Sequence, residues 1–196
     1  MTHRSRPGRP SVAERKGQEV SSKTLSSKTL YSKTLYSKTL KILIASGVNL
    51  DLLGAREPLV YGTSTLLQME KLVQSNFDRD HKRIAGKNPA GQKKYQLHFF
   101  QTNDEAKFLK ELDRGYAGAV INAGAWTHTS LAIADRLVGL GLPYVEVHVS
   151  DLTVREPFRK FSYLAKNAIT VVQGRGIESY WLGVEALLHF LQGGMH

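Results

Sequence analysis

From Lys41 onward, short apolar runs alternate with segments of helical spacing, and this alternation restricts the chain more than any other feature. KILIAS (41–46) is apolar and too short for a buried helix, so it reads as a strand. A polar loop with Gly47, Gly54, Pro58 and Gly62 follows. TSTLLQMEKLVQSNF (63–77) places Leu66, Met69 and Leu72 at helical spacing, with Thr63 or Ser64 as N-cap. YQLHFFQ (95–101) reads as a strand and DEAKFLKELDRGY (104–116) as a helix with acids in its first turn. AGAVIN (117–122), PYVEVHVS (143–150) and AITVVQG (168–174) read as further strands. HTSLAIADRLVGLG (128–141) and IESYWLGVEALLHFL (177–191) read as helices.

Five units of strand and helix imply an α/β domain with a parallel sheet covered on both faces. The expected fold is a flavodoxin-like, doubly wound five-stranded sheet in the order 2-1-3-4-5. Ligands then belong beyond the carboxyl ends of the strands. Residues 41–196 are read as this domain, and the chain's 41% hydrophobic content suffices for its core.

Residues 1–40 are different. They contain SSKTL, SSKTL, YSKTL and YSKTL in tandem, with Leu25, Leu30, Leu35 and Leu40 five residues apart. On a helix each such step turns a side chain by about 140°, and on a strand it changes face, so neither forms an apolar stripe. The segment reads as a low-complexity, disordered tail. It carries nine Lys/Arg and two Glu, most of the chain's +10 charge. Such a tail can attract polyanions without specificity, and no nucleic-acid partner is expected from it. Residues 79–94, RDHKRIAGKNPAGQKK, read as a mobile basic surface loop. The absence of cysteine excludes disulfides and thiolate chemistry. No membrane partner, spanning run or secretory h-region is read, and the expected location is the cytoplasm.

The chemistry-bearing residues gather just after the expected strands. They lie in SGVNLDLLGAREPLVYG (46–62), INAGAWTH (121–128), EVHVS (146–150) and REPFRKFSYLA (155–165). Taken singly, each has an ordinary structural reading. Asn49 can cap a turn, Arg56 can pair with Glu57 or Asp51, Tyr61 can pack in its loop, and His148 can bond to backbone. Taken together, in this order and spacing, they resemble the type II dehydroquinases, whose signatures run GPNLNLLGxREPxxYG, INPGAYTH, EVHxSN and REExRxxSY. The likeness covers nearly all of 41–196. Departures are Val48 and Ala123 for Pro, Asp51 and Asp151 for Asn, Trp126 for Tyr, and QTNDE (101–105) for QSNHE. Losing the two prolines relaxes restraint on two site loops. Asp151 puts a carboxylate near a pocket expected to hold an anion.

The resemblance implies a hydro-lyase, 3-dehydroquinate dehydratase, acting in the shikimate pathway toward chorismate and aromatic amino acids. It implies no metal and no cofactor. The substrate, 3-dehydroquinate, is a cyclic β-hydroxy ketone bearing a carboxylate, and water leaves through an enolate. Tyr61 is then the base. A tyrosine ordinarily loses its proton near pH 10, so a guanidinium must favour the phenolate. Arg56 is the first candidate and Arg155 the second. His148 is the implied acid, oriented by Glu146, which is two residues away on the same strand face. Asn49 corresponds to the residue that holds a water on the enolate oxygen. The backbone N–H groups of Val149 and Ser150 correspond to those that bind the carboxylate. Asn122, His128 and Arg159 correspond to groups gripping ring hydroxyls, and Asp135 to one reaching a neighbouring subunit. The implied assembly is a homo-dodecamer, a tetramer of trimers.

Three other readings fit the sequence less well. A flavin domain of this fold needs a Ser/Thr/Gly-rich first loop, which here carries Asn49, Asp51, Arg56 and Glu57 instead. A phosphoacceptor domain needs an Asp where the third strand ends in Asn122. A non-catalytic module using the basic tail leaves the four site-like loops without a purpose.

Overall fold

The computed structural model describes residues 39–55, 57–85 and 94–193. Strands β1 (Thr39–Val48), β2 (Lys94–Gln101), β3 (Gly118–Gly124), β4 (Tyr144–His148) and β5 (Val171–Gln173) form a parallel sheet in the order β2-β1-β3-β4-β5. The expected order is therefore observed. Helices are α1 (Pro58–Tyr61), α2 (Leu66–Ala85), α3 (Glu105–Leu112), α4 (Leu131–Leu140) and α5 (Glu178–Leu191).

The period-two alternation of the strands divides the core into two layers. Leu40, Ile42 and Ile44 of β1 join Val120, Val145 and Val147 on one face, beneath Met69, Val73 and Phe77 of α2 and Tyr180, Val184 and Leu187 of α5. Leu43 and Ala45 join Ala119, Ile121 and Tyr144 on the other face, beneath Phe108 and Leu112 of α3 and Ile133 and Leu137 of α4. Both faces of β1 are dry, which is why its sequence is an apolar run without alternation.

Several element boundaries differ from expectation, each for a local reason. β1 begins at Thr39, so Leu40, the last leucine of the repeat, is a core residue at 1% exposure. The rest of the proposed tail, residues 1–38, lies outside the described residues. α2 starts at Leu66 because Thr65, not Thr63 or Ser64, caps it. The Gln68 N–H donates to Thr65 Oγ1 at 3.2 Å, and the Thr65 N–H donates to Gln68 Oε1 at 2.8 Å, a reciprocal capping box. The helix then continues to Ala85, so residues 79–85 are helical rather than loop. No Gly or Pro intervenes before Gly86. Residues 86–93 lie outside the described residues. The helix expected from 128 begins at Leu131, because Ser130 accepts the Ile133 N–H at 3.0 Å, and Ala125–His128 forms a separate 3₁₀ turn. Asp104 caps α3 likewise by accepting the Lys107 N–H at 3.1 Å.

α5 packs against β3 and β4 through Gly183. A Cβ there would lie 2.6 Å from Val147 Cγ1 and 3.0 Å from Val120 Cγ1. These β-branched methyls sit on strands and cannot swing away. We expect Gly183→Ala to destabilise the fold by about 1–3 kcal/mol through overpacking, despite alanine's better helix propensity. Urea unfolding measures this, and a gain in stability would show the contact to be slack.

Candidate active site

The carboxyl ends of β1 and β3 approach very closely. A Cβ on Gly47 would lie 2.4 Å from the Ala123 carbonyl oxygen, and one on Gly124 would lie 2.4 Å from that of Val48. Gly124 also has φ 63 and ψ −134, a conformation that a side chain would oppose. Asn49 and Asn122, which follow β1 and end β3, both face the opening at these strand ends.

Asn49 itself is left-handed, with φ 65. Its N–H donates to Asn103 Oδ1 at 2.8 Å, and Asn103 Nδ2 donates in turn to Asp51 Oδ2 at 3.0 Å. Gln101 Nε2 adds a second donor to the same Asn103 oxygen at 3.1 Å. Asp51, one of the departures, therefore fixes the orientation of Asn103 rather than facing the site. Beneath Asn122, the fully buried Tyr180 hydroxyl lies 2.9 Å from Ser46 Oγ, and burial pushes its proton affinity up.

These ends open into a cleft. Asn49, Tyr61, Asn122, His128, His148, Val149, Ser150 and Arg159 all line it, together with Arg155. Tyr61 is carried by α1, a one-turn helix with Pro58 at its first position, in a stretch read from sequence as loop. Arg155 Nη1 donates to the Tyr61 hydroxyl at 3.1 Å and to Ser150 Oγ at 3.4 Å. The guanidinium carbon lies 5.5 Å from the centre of the tyrosine ring. The hydrogen bond to Tyr61 is the leading reason that the Arg155 guanidinium holds its proton above the ordinary value. Arg56, the first candidate for this contact, lies outside the described residues.

Tyr144, Glu146 and His148 share one face of β4. Glu146 is 0% exposed and His148 5%. His148 Nε2 lies 2.9 Å from Glu146 Oε1, the pairing expected from their spacing. Ser162 Oγ donates to the same oxygen at 2.7 Å. Tyr144, buried beside the Glu146 charge, has its hydroxyl pushed up to about 12 and donates to the Leu164 carbonyl. At the rim, His128 Nδ1 lies 2.7 Å from the Phe161 carbonyl. A carbonyl only accepts, so Nδ1 carries a hydrogen.

Two expected residues do not line the cleft. Glu146 lies beneath it, and Asp135 is exposed on α4. Asp151 also stays out of the cleft. Its carboxylate accepts from Thr153 N–H at 2.8 Å and Thr153 Oγ1 at 2.7 Å, and these bonds hold it below the usual carboxylate range. Sequence reasoning gave Ser162 no role. The signal was its match to the serine of the REExRxxSY signature, which does not name the carboxylate it meets from sixteen residues away. Among the described residues no group of three or more His, Cys, Asp or Glu is placed to hold a metal ion.

The fold and these groups define a doubly wound α/β protein with an acid–base cleft at its switch point. Residues 40–188 match the model of the class II dehydroquinases, and the chain belongs to that family. It is 41% identical over 157 residues to a 3-dehydroquinate dehydratase of Alkalilimnicola ehrlichii, covering 78% of this chain and 95% of that protein. It is 40% identical over 156 residues to a catabolic 3-dehydroquinase of Meyerozyma guilliermondii, covering 76% of this chain and 98% of the relative. Among solved structures, the type II dehydroquinase of Butyrivibrio crossotus superposes with a TM-score of 0.68 at 27% identity, over 78% of this chain and 99% of that one.

Proposed function

We propose that this chain removes water from 3-dehydroquinate by trans elimination through an enolate, giving 3-dehydroshikimate in the shikimate pathway. The contact that carries this reading is Arg155 Nη1 on the Tyr61 hydroxyl at 3.1 Å, in the cleft that His148, paired with Glu146, also lines. A guanidinium in hydrogen-bond contact favours phenolate over phenol.

Tyr61 as phenolate takes the proton from the carbon between ketone and carbinol. Negative charge moves to the ketone oxygen, where a water held by Asn49 stabilises it. The enolate then expels the β-hydroxyl, which takes a proton from His148 and leaves as water. Glu146 positions the imidazole for that transfer. The backbone N–H groups of Val149 and Ser150 bind the substrate carboxylate, while Asn122, His128 and Arg159 orient the ring hydroxyls. Arg56 is assigned a supporting positive charge on the Tyr61 loop. None of these roles calls for a metal or cofactor.

Asp135 is assigned to the pocket of a neighbouring subunit within a dodecamer of stacked trimers. Its position on α4 supports this, since Leu131 and Val138, one turn before and one turn after it, are 57% and 56% exposed. No helix among the described residues is long and apolar enough to cross a membrane. A cytoplasmic location is part of the proposal. The segment before β1 is proposed to be dispensable.

Two outcomes follow. Tyr61→Phe keeps the ring and loses the base, so kcat should fall about 10²–10⁴-fold with KM nearly unchanged. Arg155→Lys should lower kcat, because a point-like ammonium cannot copy the planar guanidinium that donates to both Tyr61 and Ser150, and Arg155→Ala should lower it further. Near-normal turnover of Tyr61→Phe would remove the proposed base. Deleting residues 1–38 should leave turnover and particle size by light scattering within about twofold, since a repeat without an apolar face adds no core. An inactive or monomeric truncation would show that the segment is structural.

A further inference from the structure

We propose that Ser162 is a positioning residue that keeps the Glu146–His148 pair in its proton-delivering state, an inference that rests on the acid role assigned to His148. A serine hydroxyl has one proton to donate and two lone pairs. Ser162 Oγ accepts the Leu164 N–H at 3.0 Å and the Ala165 N–H at 3.1 Å. With both lone pairs engaged, its proton is directed at Glu146 Oε1, 2.7 Å away.

That same oxygen receives His148 Nε2 at 2.9 Å, while Glu146 Oε2 is buried with no hydrogen-bond partner. Among the described residues, both hydrogen bonds to this buried carboxylate thus enter at one atom, and Ser162 supplies one of the two. An oxygen accepting two donors is a poor place for a third proton, so the hydrogen on Nε2 stays with the imidazole. Nδ1 is then the nitrogen through which His148 exchanges a proton with substrate. Without the serine hydroxyl, the carboxylate keeps a single donor, and the shared proton moves toward Glu146. His148 becomes a weaker acid without any change in the groups that touch substrate.

Ser162 is well anchored for this task. Tyr163 N–H donates to the Thr127 carbonyl at 3.0 Å, His128 Nδ1 donates to the Phe161 carbonyl at 2.7 Å, and the Tyr144 hydroxyl donates to the Leu164 carbonyl. The strip carrying Ser162 is therefore tied on one side to the turn bearing His128 and on the other to the strand bearing His148. It follows directly on the segment that carries Arg155 and Arg159. Ser162 links the hydroxyl-gripping rim to the acid beneath it.

The test uses the full chain and 3-dehydroquinate. Ser162→Ala should lower kcat about 10- to 100-fold, the size of one hydrogen bond to a charged group, with KM within about twofold. Proton abstraction should survive. In deuterium oxide, exchange at the α-carbon of recovered substrate should therefore rise relative to elimination. Because alanine also frees two backbone N–H groups, Ser162→Thr and Ser162→Val supply a second comparison of nearly equal volume. Threonine should restore most of the rate and valine should not. Equal rates for threonine and valine, or an alanine variant that loses exchange and elimination in parallel, would overturn the proposal. Tyr61→Phe and His148→Ala run alongside. If those two also turn over normally, the functional reading itself has failed; if they collapse while Ser162→Ala does not, only the role of Ser162 has failed.

Discussion

The close backbone contact between the carboxyl ends of β1 and β3 is the constraint on which the cleft depends. Gly47 against Ala123 and Gly124 against Val48 leave no room for a Cβ on either glycine. This approach brings the left-handed Asn49 turn and the 3₁₀ turn of Ala125–His128 to opposite walls of one opening. The two prolines that the family carries at positions 48 and 123 are absent here. The network of Asn49, Asn103, Gln101 and Asp51 supplies restraint at the first turn by hydrogen bonding instead.

The second feature of the cleft is energetic. A carboxylate without solvent exposure carries a desolvation cost of several kcal/mol, and it persists only with well-placed donors. Among the described residues Glu146 has two, both on Oε1, and Oε2 has no partner. Such an arrangement is poor for stability. It is explicable where the pair's purpose is to hold a proton in a defined place, since functional sites are where local rules of stability are broken. Tyr61 and Arg155 meet in the same cleft, where the guanidinium donates to the hydroxyl. The proposed elimination assigns proton removal to Tyr61 and proton delivery to His148.

Much of this was legible in the sequence because strong local signals coincide with tertiary structure. β1, β3 and β4 are buried on both faces, so their apolar runs are unmistakable, and the strand order followed from their alternation with helices. The ends of elements were less legible. A run of hydroxyl residues such as Thr63, Ser64 and Thr65 offers three caps, and only the reciprocal bond with Gln68 selects one. Leu40 was hidden by its repeat, because its four-letter context is identical to that of leucines outside the core. In the site, residues adjacent to strand ends were found readily. Ser162 was given no role and Arg155 stood second to Arg56 as the neighbour of Tyr61, since each contact depends on a loop folding back across 16 or 94 residues. Sequence proximity favoured Arg56, which lies outside the described residues, and the hydroxyl of Tyr61 also receives a hydrogen bond from Arg155.

The most direct measurement is the ultraviolet absorbance of the purified full chain mixed with 3-dehydroquinate, with and without borohydride. The account predicts that the conjugated enone of 3-dehydroshikimate forms at catalytic protein concentration. It also predicts that borohydride does not inactivate the chain in the presence of substrate, because the enolate route forms no lysine imine for it to reduce. A folded protein that produces no enone, or one whose activity borohydride abolishes only when substrate is present, would contradict it.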